Sequence, residues 1–436
     1  MTDQSRISPS KFILSYFIIS QSPKNYNIAK KITNGLDKPA TKFVSEMLYG
    51  IEKSNSILFS EIARALKENI KLKNTIERLC DNCNTLSDKE LNIIKENYYD
   101  IALKQLPDDE IILIEDDSDV NKEYSNKLED LCTVRDASSK QEKYVNGYHV
   151  CEIVGLSKNE YQPISLYSKI YSTESKGFKS CPDETMKSEK YVIDRIRKNN
   201  DSKIIIVKDR GYDSFELFKS TIKNKVSFVV RLEGNRHLLF KGKKRLVSDV
   251  ASTRKGKLHT KLMYKGDNTD CYISYTTVQL PKMKDKDLNL VIIYRKDEEN
   301  DPMYLLTDLP IKTKDDVEKI AKIYMLRWRI EEYFKSKKQN YDFENFRLRN
   351  LNAINNLNII LTCVMLHLGI LTEKMNVKLL VIKIIEASES LKNKALVWYG
   401  QISKGIAKIL EHANTGIKEW FEVEIRSKYK QLGLKI

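Results

Sequence analysis

The sequence predicts an α/β protein with helical ends, on three observations. Residues 111–114 (Ile-Ile-Leu-Ile) and 204–207 (Ile-Ile-Ile-Val) are continuous apolar runs, the pattern of central strands buried on both faces. Strand-like and helix-like segments alternate around them, as an α/β core requires. The stretch 324–338, Tyr-Met-Leu-Arg-Trp-Arg-Ile-Glu-Glu-Tyr-Phe-Lys-Ser-Lys-Lys, has no Pro or Gly and predicts one helix with an apolar stripe of Ile323, Leu326, Ile330 and Phe334.

Taken in order, residues 1–105 read as helical and basic. Within them, residues 59–79 form two short amphipathic segments joined near Glu68 and Asn69, with Ser60 as the cap of the first. This fits a helix-turn-helix presenting Lys71, Lys73 and Arg78 to DNA; a plain helical hairpin would show the same pattern. The first apolar run ends in Glu115-Asp116-Asp117-Ser118-Asp119. Residues 144–155 and 161–171 alternate as strands, and 186–198 reads as a helix. The second apolar run, within strand 203–208, leads into Asp209-Arg210-Gly211-Tyr212. Ser214 caps a helix to Lys223, and 227–231 is another strand. Residues 241–302 are lysine-rich with short alternating segments, a β-rich insertion. Residues 304–307 return to core strand character before the 324–338 helix. A buried helix at 357–371 and a helical tail carrying Trp398 and Trp420 close the chain.

The 436 residues suffice for two or three domains. Lys and Arg total 75 against 60 Asp and Glu, a net charge of +15, which favours a polyanionic partner, with nucleic acid first. Seven irregularly spaced Cys make no disulfide framework, and Cys80-x-x-Cys83 has no second pair at zinc spacing. The short apolar run between Lys11 and Lys24 lacks a secretory cleavage pattern. The most apolar stretch, 359–371, is too short to span a bilayer. The expectation is a cytoplasmic protein with no membrane partner.

On a helix turning about 100° per residue, Tyr324, Arg327, Glu331 and Lys338 fall within an arc of roughly 60°, so one carboxylate sits among two cations and a phenol. An Asp after a strand is most often a turn former or cap. Two such strands ending in Asp, followed by a helix offering a Glu, form a set of three hard oxygen donors suited to two Mg²⁺ or Mn²⁺ ions. That arrangement serves in-line phosphodiester displacement, with Arg327, Lys338 and Tyr324 gripping neighbouring phosphates.

These same residues, Asp116-Asp117-Ser118, Asp209-Arg210-Gly211-Tyr212, Phe228-Val229-Val230-Arg231 and Tyr324-x-x-Arg327-x-x-x-Glu331-x-x-x-x-x-x-Lys338, resemble the IS-four insertion-sequence transposases over about residues 55–370. The resemblance implies a ribonuclease-H-like catalytic core interrupted by a β-rich insertion. It implies a DDE triad of Asp116, Asp209 and Glu331, two Mg²⁺ (or Mn²⁺) ions, and DNA contacts by Tyr324, Arg327 and Lys338, helped by Arg210 and Arg231. The expected layout is a helical DNA-binding domain (1–105), a core in two parts (106–240 and 303–371) around the insertion (241–302), and a helical C-terminal region (372–436) that could serve dimerisation. Asp116 is preferred over Asp117 and Asp119 on the family pattern, and strand alternation puts Asp116 and Ser118 on one face with Asp117 opposite. Glu332 points about 100° away from Glu331. Where the family carries a base-stacking Trp, this chain has Met303, with Tyr304 beside it as the candidate replacement. The implied activity is hydrolysis at element ends followed by 3′-hydroxyl strand transfer. The implied partners are terminal inverted repeats, target DNA and a second copy of the chain. A non-catalytic DNA-binding relic or regulator, and a nuclease without strand transfer, are the alternatives.

Overall fold

The computed structural model describes residues 28–136, 139, 141–199, 201–254, 256–264, 267–296, 302–373, 385, 388 and 399–411. Trp398, Trp420 and the apolar run between Lys11 and Lys24 lie outside the described residues.

The architecture is mixed α/β around one large sheet. Its strands are β1 (Glu110–Asn121), β2 (Cys132–Arg135), β3 (Tyr144–Leu156), β4 (Pro163–Tyr171), β5 (Lys203–Lys208), β6 (Ser227–Arg231), β7 (His237–Phe240), β8 (Lys243–Leu246), β9 (Leu258–Tyr264), β10 (Asp267–Leu280), β11 (Met283–Arg295) and β12 (Met303–Thr307). They run in the order β2-β3-β1-β5-β6-β12-β11-β10-β7-β8, with β4 also on β3 and β9 on β10. β1, β5 and β6 are mutually parallel; on the other side of β1, β3 runs antiparallel to it and β4 runs antiparallel to β3, and so parallel to β1. The apolar runs in β1 and β5 are buried throughout, each Ile contributing about 2–3 kcal/mol by removal from water.

The sequence reading ends the first strand at the acidic cluster; β1 instead runs through it. Parallel pairing with β5 stops at Glu115↔Lys208, but antiparallel pairing with β3 continues to Asn121↔Gly147. The carboxylates therefore sit on strand backbone that is held by β3 after β5 has ended. Gly147 is needed for this closeness, since a Cβ there would lie 2.3 Å from the Val120 carbonyl oxygen.

The stretch expected as an insertion does not bud off as a separate layer. β10 and β11 extend the central sheet through β12, and the β7–β8 hairpin straddles the expected boundary at residue 241. A smaller apolar core, including Phe228, Leu280, Leu288 and Leu306, covers this half.

Helices α1 (Ile28–Ile32), α2 (Lys38–Ser54), α3 (Phe59–Leu66), α4 (Leu72–Thr85) and α5 (Asp88–Ala102) precede β1. Their apolar faces (Phe43, Met47, Ile62, Leu79) share one continuous core with Ile114, Ile206 and Leu361. Ser60 lies inside α3 rather than capping it, and Leu58 holds the cap position. α5 has a full capping box from Ser87 and Glu90. α6 (Cys181–Arg197) starts five residues earlier than its periodicity suggests, because the Ser180 hydroxyl caps it and Pro182 fits its first turn. Ser214 occupies the cap position of α7 (Phe215–Lys223) without a side-chain bond. α8 is Val247–Ser252.

The stretch expected as one helix is two. α9 (Lys314–Met325) ends and α10 (Trp328–Tyr341) begins around Leu326 and Arg327. There the amides of Arg327, Arg329 and Ile330 bond three residues back, to Tyr324, Leu326 and Arg327. This tightening to 3₁₀-type bonds breaks the regular ladder. α11 (Leu351–Glu373) is longer than the apolar stretch 359–371 and, by length and composition, could cross a membrane. Yet 78% of its most apolar window is buried inside the fold, so it is a core helix here. α12 (Tyr399–Leu410) packs Ile402, Ile406 and Leu410 into the same core.

Candidate active site

Two adjacent parallel strands bring the aspartates together. Asp116 follows the last β1–β5 rung and Asp209 follows the end of β5. Alternation along β1 sends Asp116 to the face covered by α10, while Asp117 turns to the opposite face, its Oδ2 3.5 Å from the Tyr171 hydroxyl. α10 then delivers Glu331 over Asp116. The Arg327 guanidinium lies between them, with Nη1 3.3 Å from Asp116 Oδ2 and Nη2 on Glu331 Oε1. The Tyr324 hydroxyl donates to Asp209 Oδ1 at 3.2 Å. Asp116, Asp209, Glu331, Tyr324 and Arg327 thus form one cluster, and the helix break is what lets α9 present Tyr324 while α10 presents Glu331.

The electrostatics follow from crowding. Burial pushes the Asp116 carboxyl up to about 7; Arg327 pulls it down, and Asp209, Asp117 and Glu331 push it up again. Burial works against the Arg327 charge, but Asp209, Tyr324, Asp116 and Glu331 hold it protonated more firmly than usual. Burial, then Asp209, raises the Tyr324 phenol, with Arg327 and Arg231 opposing. The cluster is short of positive charge even with Arg327 in place.

The remaining predicted residues divide. Lys338 donates to the Asp119 carbonyl at 2.7 Å and sits 3.1 Å from Glu344 Oε1, at the far end of α10 over β1. Arg231, at the end of β6, is close enough to Tyr324 to affect its phenol. Arg210 is exposed and 3.6 Å from Glu233. Tyr304 is not brought to the cluster: it is 5% exposed in the smaller core, on the sheet face that carries Lys208, while Met303 faces the larger core. In the N-terminal helices Lys71 and Lys73 are exposed, but Arg78 does not face outward. It is spent internally on Glu46 at 2.6 Å and Glu68 at 2.8 Å.

Among the described residues, no three His, Cys, Asp or Glu side chains are gathered closely enough to hold a metal ion as they stand. The donor chemistry nevertheless fits a hard divalent cation: three carboxylates of a half-buried cluster, one pushed up to about 7, with a guanidinium between two of them. Arg327 takes the role of counter-ion in this arrangement.

Sequence reasoning missed four charged residues directly beside the cluster. Glu115 and Lys208 each precede one aspartate and pair with each other at 3.1 Å. Glu152 is the strand partner of Asp116, and Lys337 of α10 meets it at 3.0 Å. All four are buried. For Glu115 and Lys208 the available signal was a charged residue closing each apolar run one step before its Asp.

A family model described as a transposase DDE domain matches residues 183–366. That span holds Asp209 and Glu331 and starts after Asp116. The match supports a DDE transposase family and DNA transposase function. Among solved structures, one titled a cryo-EM structure of piggyBac transposase synaptic complex with hairpin DNA is similar at a TM-score of 0.44 and 10% identity, covering 100% of this chain and 76% of that one. No curated protein matches the chain.

Proposed function

We propose that this chain is a transposase of the IS-four kind, cleaving DNA at the ends of its element and joining the freed 3′-hydroxyl to target DNA. The observation that carries the reading is the meeting of Asp116, Asp209 and Glu331 from three separate elements, around Arg327 and Tyr324. The strand order supports it. β4-β3-β1-β5-β6, with β3 alone antiparallel to β1, the others parallel to it, and α6 crossing between β4 and β5, is the order of a ribonuclease-H-like core.

Asp116, Asp209 and Glu331 are the residues that would hold Mg²⁺ or Mn²⁺. Two such ions, when bound, activate the attacking oxygen and stabilise the leaving oxygen of an in-line displacement. The chain's own groups do the rest. Tyr324 steadies Asp209 through its hydroxyl. Arg327, released from Asp116 and Glu331, offers a forked donor to a phosphate, a geometry lysine cannot copy. Lys338 fixes the end of α10 over β1. Arg231 and the exposed Arg210 extend positive charge from the cluster, and Lys71 and Lys73 present it from α4 and the turn before it. Double-stranded DNA with terminal inverted repeats is the substrate, held by two copies of the chain in a synaptic complex.

The test is a strand-transfer assay with Mg²⁺ and labelled DNA flanking the gene. Joined products support the reading, cleavage without joining points to a nuclease, and a mobility shift without cleavage points to a DNA-binding regulator. Glu331→Ala should abolish both cleavage and joining; unimpaired joining would sink the triad.

A further inference from the structure

Asp116 and Asp209 stand next to a buried ion pair that the chemistry above does not use, and the helix that carries Glu331 supplies the lysine of a second. On the sheet face away from the cluster, Lys208 is 1% exposed and lies between Glu115 (0%) and Glu189 (1%). The Ser188 hydroxyl bonds Glu115 at 3.0 Å and the Thr221 hydroxyl bonds Glu189 at 3.2 Å. Glu115↔Lys208 is the last rung of the parallel β1–β5 ladder, and Asp116 and Asp209 are the next residues beyond it. On the cluster's own face, Lys337 is 0% exposed. Its ammonium meets Glu152 at 3.0 Å, Ser168 at 3.0 Å and Asn358 at 2.9 Å, so all three of its donors have acceptors. Glu152 is directly opposite Asp116 in the β1–β3 ladder, and Lys337 shares α10 with Glu331.

Apolar residues occupy the four rungs below Glu115↔Lys208, so nothing about the strands requires charge there. Burying an ion pair is costly, and a well-packed apolar pair of similar volume is often as stable or more so. Stability is therefore a poor reason for a Lys–Glu rung at the one place where two carboxylates come next. Carboxylates on adjacent strands repel, and the β1–β5 register extends no further than the rung before them.

We propose that Glu115–Lys208 and Glu152–Lys337 are positioning residues forming a frame that sets the spacing of the cluster: the first pair fixes Asp116 against Asp209, the second fixes Asp116 against Glu331. The proposal rests on the metal-binding role given above to those carboxylates. Glu189, which ties Lys208 to α6 rather than to β1, lies outside the frame.

The experiment compares two substitutions that each leave Lys208 with one carboxylate partner. Glu115→Met breaks the rung between the aspartate-bearing strands, and Glu189→Met leaves that rung intact. Purified full-length proteins are compared for melting temperature, Mn²⁺ half-saturation followed by the electron paramagnetic resonance of free Mn²⁺, and steady-state cleavage of element-end DNA. Glu115→Met should weaken Mn²⁺ binding at least tenfold and lower kcat at least tenfold, with KM for DNA within threefold; Glu189→Met should stay within threefold in all three. If a folded Glu115→Met protein binds Mn²⁺ and turns over like the wild type, or if the two variants are impaired equally, the frame is overturned. If Glu115→Met does not fold, the double variant Lys337→Met/Glu152→Met, which removes both charges of the second pair, decides in the same way: tenfold weaker Mn²⁺ binding supports the frame and wild-type binding overturns it. A wild-type protein that neither binds Mn²⁺ nor cleaves DNA would overturn the functional reading itself and the frame with it. Wild-type activity beside unaffected variants overturns the frame alone.

Discussion

Replacing Asp116 by Asn should stabilise the metal-free protein at high pH while destroying its activity. Asp116 is moved from 3.8 to about 7, by burial first and by Asp209, Asp117 and Glu331 next, against the pull of Arg327. A carboxyl raised this far has its ionised form disfavoured by about 4 kcal/mol. Its contribution to stability is fully present below about pH 4 and is lost as pH rises to 7. Asn keeps the shape of the neutral acid and cannot ionise. Allowing for the loss of one Arg327 contact, the variant should gain about 2–4 kcal/mol at pH 8 and nothing at pH 4. For a chain of 436 residues, an unfolding entropy of about 2 cal/mol/K per residue converts this to roughly 2–4 °C in Tm. The assay is thermal unfolding in a chelator at pH 4 and pH 8. Adding Mg²⁺ at pH 8 should raise the wild-type Tm and leave the variant unmoved. A variant that melts below the wild type at pH 8, or by the same margin at both pH values, would refute the account of Asp116 as a strained carboxylate awaiting a cation.

Arg327→Ala removes the guanidinium between Asp116 and Glu331. Mn²⁺ binding should tighten or hold while DNA cleavage falls about 10²-fold, as for loss of a charged transition-state donor; equal loss of both would mean that Arg327 only supports the fold. Arg78→Ala leaves Glu46, 0% exposed, with only the 3.5 Å pair to half-exposed Lys42 and should cost about 2–3 kcal/mol in denaturant unfolding, somewhat less than a wholly uncompensated buried charge. Lys73→Ala, at an exposed site paired with exposed Glu77, should leave stability within about 0.5 kcal/mol. If α4 touches DNA through Lys73, that change should also lower the salt slope of DNA binding by about 1.

Local pattern determined much of this molecule. Period-two and continuous apolar runs mark β1, β3, β4, β5, β6 and β12, because a strand's burial is written in its own residues. Alternation puts Asp116 and Asp117 on opposite faces and the family pattern prefers Asp116, and the order of Asp116, Asp209 and the Tyr324–Lys338 spacing names the candidate cluster before any contact is known. Helix spacing likewise puts Arg327 and Glu331 together, four residues apart.

Only tertiary structure decided the rest. The break at Leu326 and Arg327 leaves no mark in propensity; it falls where the chain passes from packing on β5, β6 and β9–β11 through α9 to packing on β1 and β4 through α10. β1 continues through its acids because β3 pairs with it from 30 or more residues away, and β10 and β11 join the central sheet through partners that a local window cannot see. Arg78 and Arg327 illustrate the same limit. Both read as outward cations, yet one neutralises a buried Glu46 and the other stands between two carboxylates. Lys208 and Lys337 look like ordinary surface lysines in sequence. What makes them unusual is the pair each forms, with Glu115 and Glu152, and a pair across 93 or 185 positions of chain is a property of distance in space, which a linear pattern does not contain.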